Sequence, residues 1–143
     1  LAYTLLLQKE FPSWLFPVTL GATTMWEHWD GLKADGSMWS PDMNSFNHYA
    51  YGAVGEWLFN VCAGIQPDPE NPGFRRIVFA PQPDVRMGRV SASIQTERGL
   101  VASAWAYDGD GSIRDTFTVP QVCTACARIG GKTVELEPGT HVL

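Results

Sequence analysis

The hydrophobic period of this chain changes once, and the change falls on "QPDPENPG", residues 66–73. Before it, in "SFNHYAYGAVGEWLFNVCAGI", Phe46, Tyr49, Ala50, Ala53, Val54, Trp57, Leu58, Val61 and Cys62 recur at i, i+3, i+4, i+7. That spacing predicts one apolar stripe on an α-helix, with Ser45 or Asn44 as its cap and Gly64 as its stop. After it the period is two. "GRVSASIQT" sets Val90, Ala92 and Ile94 against Ser91, Ser93 and Gln95. Side chains that share a helix face at period 3.6 fall on both faces of a strand, so one segment serves only one of the two structures. The chain therefore reads as α+β: helix over 2–63, antiparallel strands over 74–143.

The remaining punctuation agrees. Residues 2–10 read as the end of a helix. Pro12 fits a first helical position for "PSWLFPVTL", with Gly21 as the stop and Pro17 as a kink or early end. "QPDPENPG" reads as a linker, since prolines deny it a helix. "GFRRIVFAP" reads as the first strand. "LVASAWAY", "SIRDTFTV", "VCTACARI", "KTVELE" and "THVL" follow, separated by turn residues such as Gly130-Gly131. Six or seven short strands of this kind predict an antiparallel β-sandwich.

Composition narrows the function classes. With 45% hydrophobic and 17% charged residues the 143-residue chain is an ordinary globular one. No apolar run approaches the roughly 20 residues of a bilayer-spanning helix, so no membrane partner is expected. The opening "LAYTLLLQKE" lacks the basic start of a signal peptide and begins as if inside a helix, so we expect a piece of a longer chain. A net charge of −5 without a basic stripe argues against nucleic acid. Cys62, Cys123 and Cys126 give no paired disulfide framework. Cys123 and Cys126 form a C-x-x-C, but no second pair completes a zinc site, and their odd separation puts them on opposite faces of a strand. The expectation is no metal and no cofactor.

Chemistry concentrates in "GATTMWEHWDG", residues 21–31, where Glu27 lies between Trp26 and His28 with Trp29 close behind. Sugars present C–H faces that pack on aromatic rings and hydroxyls that seek carboxylate, amide or imidazole partners. Glycoside hydrolysis further requires two carboxyl groups flanking the scissile bond. Glu27 is the candidate acid/base group. The plainer alternative makes Trp26 and Trp29 core residues and Glu27 a solvated acid. Asp30, Asp35 and Asp42 read as turn formers beside glycines and prolines. His48 lies beside the apolar stripe, where a packing or capping role competes with a functional one. Trp39 lies in a loop, a modest sign of binding.

"GATTMWEHWDG", then "MNSFNHYAYGAVGEWLF", then "AGI…PGFRRIVFAPQP", in this order and spacing, resemble the carboxyl-terminal part of bacterial-type α-L-rhamnosidases, glycoside hydrolase family 78. The resemblance covers residues 2–128. It implies that residues 1–65 are the helical end of an (α/α)6-barrel catalytic domain and that residues 66–143 are a β-sandwich domain. It implies inverting hydrolysis of terminal α-L-rhamnose. The glutamate of the family's T-x-W-E motif is the general base, which matches Glu27. The histidine of its S-F-N-H-Y motif contacts bound rhamnose, which matches His48. Tryptophans line the family's pocket, and Trp26 and Trp29 are the nearest matches. His28 stands where the family has arginine. The family's general acid belongs to a D-E-R-x-G-W type of motif far upstream, and this chain has no such stretch. The implied partners are a rhamnose-containing glycoside and the remainder of the catalytic barrel, and the fragment alone is expected to be inactive.

The competing class is a non-catalytic carbohydrate-binding sandwich module. It would need exposed rings on the strands. Only Trp105 and Tyr107 are available there, and both share an alternation phase with Val101 and Ser103, as core residues would.

Overall fold

The computed structural model describes residues 1–143, which divide into two units, Leu1–Val54 and Gly55–Leu143. In the first unit, helix α1 spans Ala2–Leu7 and helix α2 spans Leu15–Thr19. The Ser13 hydroxyl accepts from the Phe16 N–H at 3.0 Å and so satisfies one of the free donors at the start of α2. Pro12, expected inside this helix, precedes it. Pro17 falls in its first turn, where the missing N–H removes no helical bond. Gly21 follows the helix with φ of +88°.

Helix occupies less of residues 2–63 than the apolar period implies, because residues 20–49 are largely irregular. The stripe over 46–62 becomes helical only at Ala50. It runs as a 3-10 turn (Ala50–Ala53), an α-helical turn α3 (Val54–Trp57) and a π turn (Leu58–Cys62). Neither Ser45 nor Asn44 caps it. The residues before Ala50 are held instead by long-range backbone bonds, with the Glu27 N–H donating to Ser45 O and the His48 N–H to Met25 O. Val54, Trp57 and Leu58 of the stripe are half-buried.

The π turn is closed by the Ala63 N–H, which donates to Leu58 O at 2.9 Å. Gly64 then reverses the chain at φ of +74°, and any Cβ there would lie 2.1 Å from Pro81 N. Only glycine fits both the backbone angle and the space.

The second unit is two four-stranded sheets. β1 (Ile65–Pro67), β2 (Arg76–Phe79), β6 (Thr124–Ile129) and β7 (Lys132–Leu136) form one in that order. β3 (Arg89–Thr96), β4 (Gly99–Tyr107), β5 (Ile113–Val119) and β8 (Gly139–Val142) form the other. Two details depart from expectation. The first strand begins at Ile65 and uses the start of "QPDPENPG". In addition, β2 and β6 pair in parallel, with Ile77 opposite Ala125, while every other pairing is antiparallel. The parallel pair is possible because β3, β4 and β5 lie between its strands in sequence, which supplies the long crossover a parallel pairing needs.

The alternation read from the sequence sets the core. Val101, Ser103 and Trp105 of β4 and Asp115, Phe117 and Val119 of β5 are buried on one face. Ile65, Ile77, Phe79, Ala125, Ala127 and Leu136 meet Val101, Phe117 and Val119 in one cluster, where Phe79 stacks on Phe117 at 4.6 Å. Cys62, Cys123 and Cys126 are buried and form no disulfide. The Trp105 indole is 1% exposed and donates to Cys62 O at 2.7 Å, while the Ser103 hydroxyl donates to Ala63 O at 2.6 Å. These two donors satisfy carbonyls that the helix end leaves open. A ring so enclosed offers no sugar-stacking face, in keeping with the core phase on which Trp105 falls. No helix is long and apolar enough to cross a membrane.

Candidate active site

Glu27 and His48 are separated by 21 positions, yet their segments run side by side. The Glu27 N–H donates to Ser45 O at 2.9 Å, and the His48 N–H donates to Met25 O at 2.7 Å. The Thr24 hydroxyl also donates to Phe46 O. Both stretches singled out in the sequence therefore form one structural element, with Glu27 and His48 half-buried on it.

The aromatic residues are not equivalent. Trp26 is 5% exposed and meets Phe46 edge-on at 5.1 Å. Trp29 stacks on Tyr51 at 4.5 Å and meets Trp14 edge-on at 5.5 Å, while the Trp14 indole donates to Tyr51 O at 3.0 Å. Trp26 and Trp29 thus flank Glu27 in sequence with their rings engaged by other rings. Trp39 stacks on His28 at 3.9 Å and 20° and keeps 42% of its surface exposed. Trp14 and Tyr51 were not singled out in the sequence, because contacts made across 15 and 22 positions leave no periodic signal.

The backbone after Glu27 turns tightly. The Gly31 N–H donates to His28 O at 3.0 Å, which places Asp30 in the turn expected of it. A Cβ at Gly31 would lie 3.2 Å from both Trp26 Cε3 and Asn44 Oδ1, so the glycine permits close packing. The Asn44 amide donates to Gly31 O at 2.8 Å, so Asn44 ties the two motifs together rather than capping a helix. Asp35 accepts from the Ser37 hydroxyl and N–H, and these bonds hold its carboxyl below the usual range. This is a turn-forming role. His48 Nδ1 accepts from the Ala50 N–H at 3.2 Å, and its ring stacks on Tyr49 at 5.2 Å. His28 Nε2, Trp29 Nε1 and Asn44 Oδ1 are buried without a protein partner.

Glu27 and His48 lie on one hydrogen-bonded element, with Trp26, Trp29 and Tyr49 close to them in sequence; carboxylates, imidazoles and aromatic rings are the groups with which proteins handle carbohydrates. Residues 1–62 match the bacterial α-L-rhamnosidase 6-hairpin glycosidase domain, and residues 64–142 match the bacterial α-L-rhamnosidase C-terminal domain. The chain belongs to the bacterial α-L-rhamnosidase family. An α-L-rhamnosidase of Streptomyces avermitilis is 44% identical over 124 residues, covering 87% of this chain and 12% of the relative. One of Formosa agariphila is 44% identical over 107 residues, covering 73% of this chain and 11% of the relative. The crystal structure of native α-L-rhamnosidase from Aspergillus terreus superposes with a TM-score of 0.91 at 36% identity, over 99% of this chain and 16% of that one. The S. avermitilis enzyme complexed with L-rhamnose gives 0.89 at 36% identity, over 98% of this chain and 15% of that one. The chain thus spans about 12% of the length of the curated relatives it matches.

Proposed function

We propose that these residues are the carboxyl-terminal piece of an inverting α-L-rhamnosidase, with residues 1–65 ending an (α/α)6-barrel catalytic domain and residues 66–143 forming its β-sandwich. Glu27 is the general base. It takes a proton from a water that attacks the anomeric carbon of a terminal rhamnose, on the face opposite the departing oxygen. Inversion keeps the two carboxyl groups about 6.5–9.5 Å apart so that this water fits between them. The acid that protonates the leaving oxygen belongs to the remainder of the barrel. His48 contacts the sugar hydroxyls, and Trp26 and Trp29 line the pocket wall.

The observation that carries this reading is the pair of backbone bonds, Glu27 N–H to Ser45 O and His48 N–H to Met25 O, which join the acid-bearing and histidine-bearing motifs into one element. The test is Glu27→Gln in the full-length enzyme, which keeps the shape and removes the proton acceptor. A kcat loss of at least about 10²-fold is expected, with L-rhamnose binding retained. Asp35→Asn is the control, since Asp35 shapes a turn with Ser37 and its loss should leave kcat near normal. A Glu27→Gln enzyme with near-normal kcat would remove the assignment. Residues 1–143 alone are expected to release no aglycone from an aryl rhamnoside, because only one of the two carboxyl groups is among them.

A further inference from the structure

We infer that a cleft within the second unit, between β5, the β6–β7 turn and residues 81–83, binds one neutral sugar residue whose hydroxyls donate to the Asp115 carboxylate. The cleft measures about 330 Å³, and Ile113, Asp115, Arg128, Ile129, Gly130 and Gly131 line it together with residues 81–83. All of these lie in Gly55–Leu143, so the cleft shares no residue with the Glu27 and His48 segments. Asp115 is 5% exposed, and its Oδ1 is buried without a partner. Its backbone is fully used, since its N–H donates to Leu143 O at 3.1 Å and its O accepts from the Leu143 N–H at 2.9 Å. Trp105, opposite it in the sheet, spends its indole N–H on Cys62 O. Burial is the one cause that raises the Asp115 pKa, so no donor or cation of the protein compensates the carboxylate. Buried polar groups are nearly always paired, and the cleft is the route by which the missing donor can reach this one.

The lining selects the ligand class. The carboxylate repels an anion. A metal ion takes several oxygen ligands, and Asp115 is the one carboxylate in the wall. An organic cation would share the cleft with Arg128. A neutral molecule with several hydroxyls meets neither objection: it donates to Asp115 and lays its C–H groups against Ile113 and Ile129. The volume is at the low end for small-molecule sites, which run from about 300 to 1,000 Å³, so it suits one sugar ring and not a longer chain. The walls are set before binding. The Gln82 N–H donates to Val61 O at 3.0 Å, and the Gly130-Gly131 turn is fixed by the pairing of Ile129 with Lys132. A site formed in advance loses little freedom when the ligand arrives.

The experiment is equilibrium dialysis of the full-length enzyme against radiolabelled L-rhamnose, which counts the sugars bound per chain. The choice of probe rests on the reading of the parent as an α-L-rhamnosidase, and turnover of 4-nitrophenyl α-L-rhamnoside by the wild type tests that reading separately. Asp115→Leu replaces the acceptor with an apolar group and should bind one sugar fewer per chain than the wild type. Asp115→Asn keeps the shape and puts an amide where the charge was, so the same sugar should bind at least about 10-fold more weakly. Equal counts in the wild type and Asp115→Leu would overturn the inference, as would an unchanged binding isotherm in Asp115→Asn. Should Asp115→Leu fail to fold, the Asp115→Asn isotherm decides alone.

Discussion

Asp115 is the most exposed thermodynamic weakness of the sheet unit. It lies on the inward phase of β5 with Phe117 and Val119, is 5% exposed, and its Oδ1 has no partner. Burial pushes its carboxyl above the ordinary aspartate value. The sign follows from linkage. A carboxyl with a raised folded pKa holds its proton more firmly in the native state than in the unfolded chain. Stability is therefore greatest below the unfolded pKa and falls as pH rises through the folded pKa, at most by about 1.4 kcal/mol per pH unit over that window. Above it, the native state keeps an unpaired buried charge. Asp115→Asn removes the charge while preserving shape. An unsatisfied buried polar group costs about 1–3 kcal/mol, and more when charged. The amide still lacks a partner, so the net gain at pH 7 should be about 1 kcal/mol. For a unit of this size that corresponds to about 4–8 °C in Tm. The assay is thermal and urea unfolding of wild type and variant from pH 3 to pH 8. The two should converge in acid and separate as pH rises, with the variant the more stable. A variant that is less stable by the same amount at every pH would refute the reasoning, because it would mean that the carboxyl has a favourable partner in the native state.

Two further predictions concern the junction at residues 62–64. Trp105→Phe deletes the donor to Cys62 O and empties part of a fully buried indole site, so urea unfolding should show a loss of about 2–4 kcal/mol; a loss under about 1 kcal/mol would mean that the indole contributes little. Gly64→Ala places a Cβ against Pro81 N at a positive φ, so a loss of at least about 3 kcal/mol or failure to accumulate as soluble protein is expected, and near-wild-type unfolding would show that the chain reversal yields easily.

Much of the fold was written in local pattern. The alternation of Val90, Ala92 and Ile94 gave the inner face of β3 because the period of a strand is fixed by its backbone. Gly130 and Gly131, both at positive φ, form the two-residue turn between β6 and β7 that the dipeptide predicts. Gly64 stopped the helical run where expected. Glu27 and His48 stand out in the sequence through the motifs that carry them, and their proposed roles rest on those motifs. Tertiary structure decided what lies across long separations. Residues 46–49 carry a helical apolar spacing, yet Ser45 O, Phe46 O and the His48 N–H bond to the segment at 24–27, and a backbone group committed to a distant partner is lost to the helix. The parallel pairing of β2 with β6 is likewise invisible to period, since a strand has the same alternation in either direction. Trp26, Trp29 and Trp39 look alike along the chain. Their ring partners Phe46, Tyr51 and His28 come from separate parts of the sequence, and a residue's packing depends on everything around it and not on the residue itself.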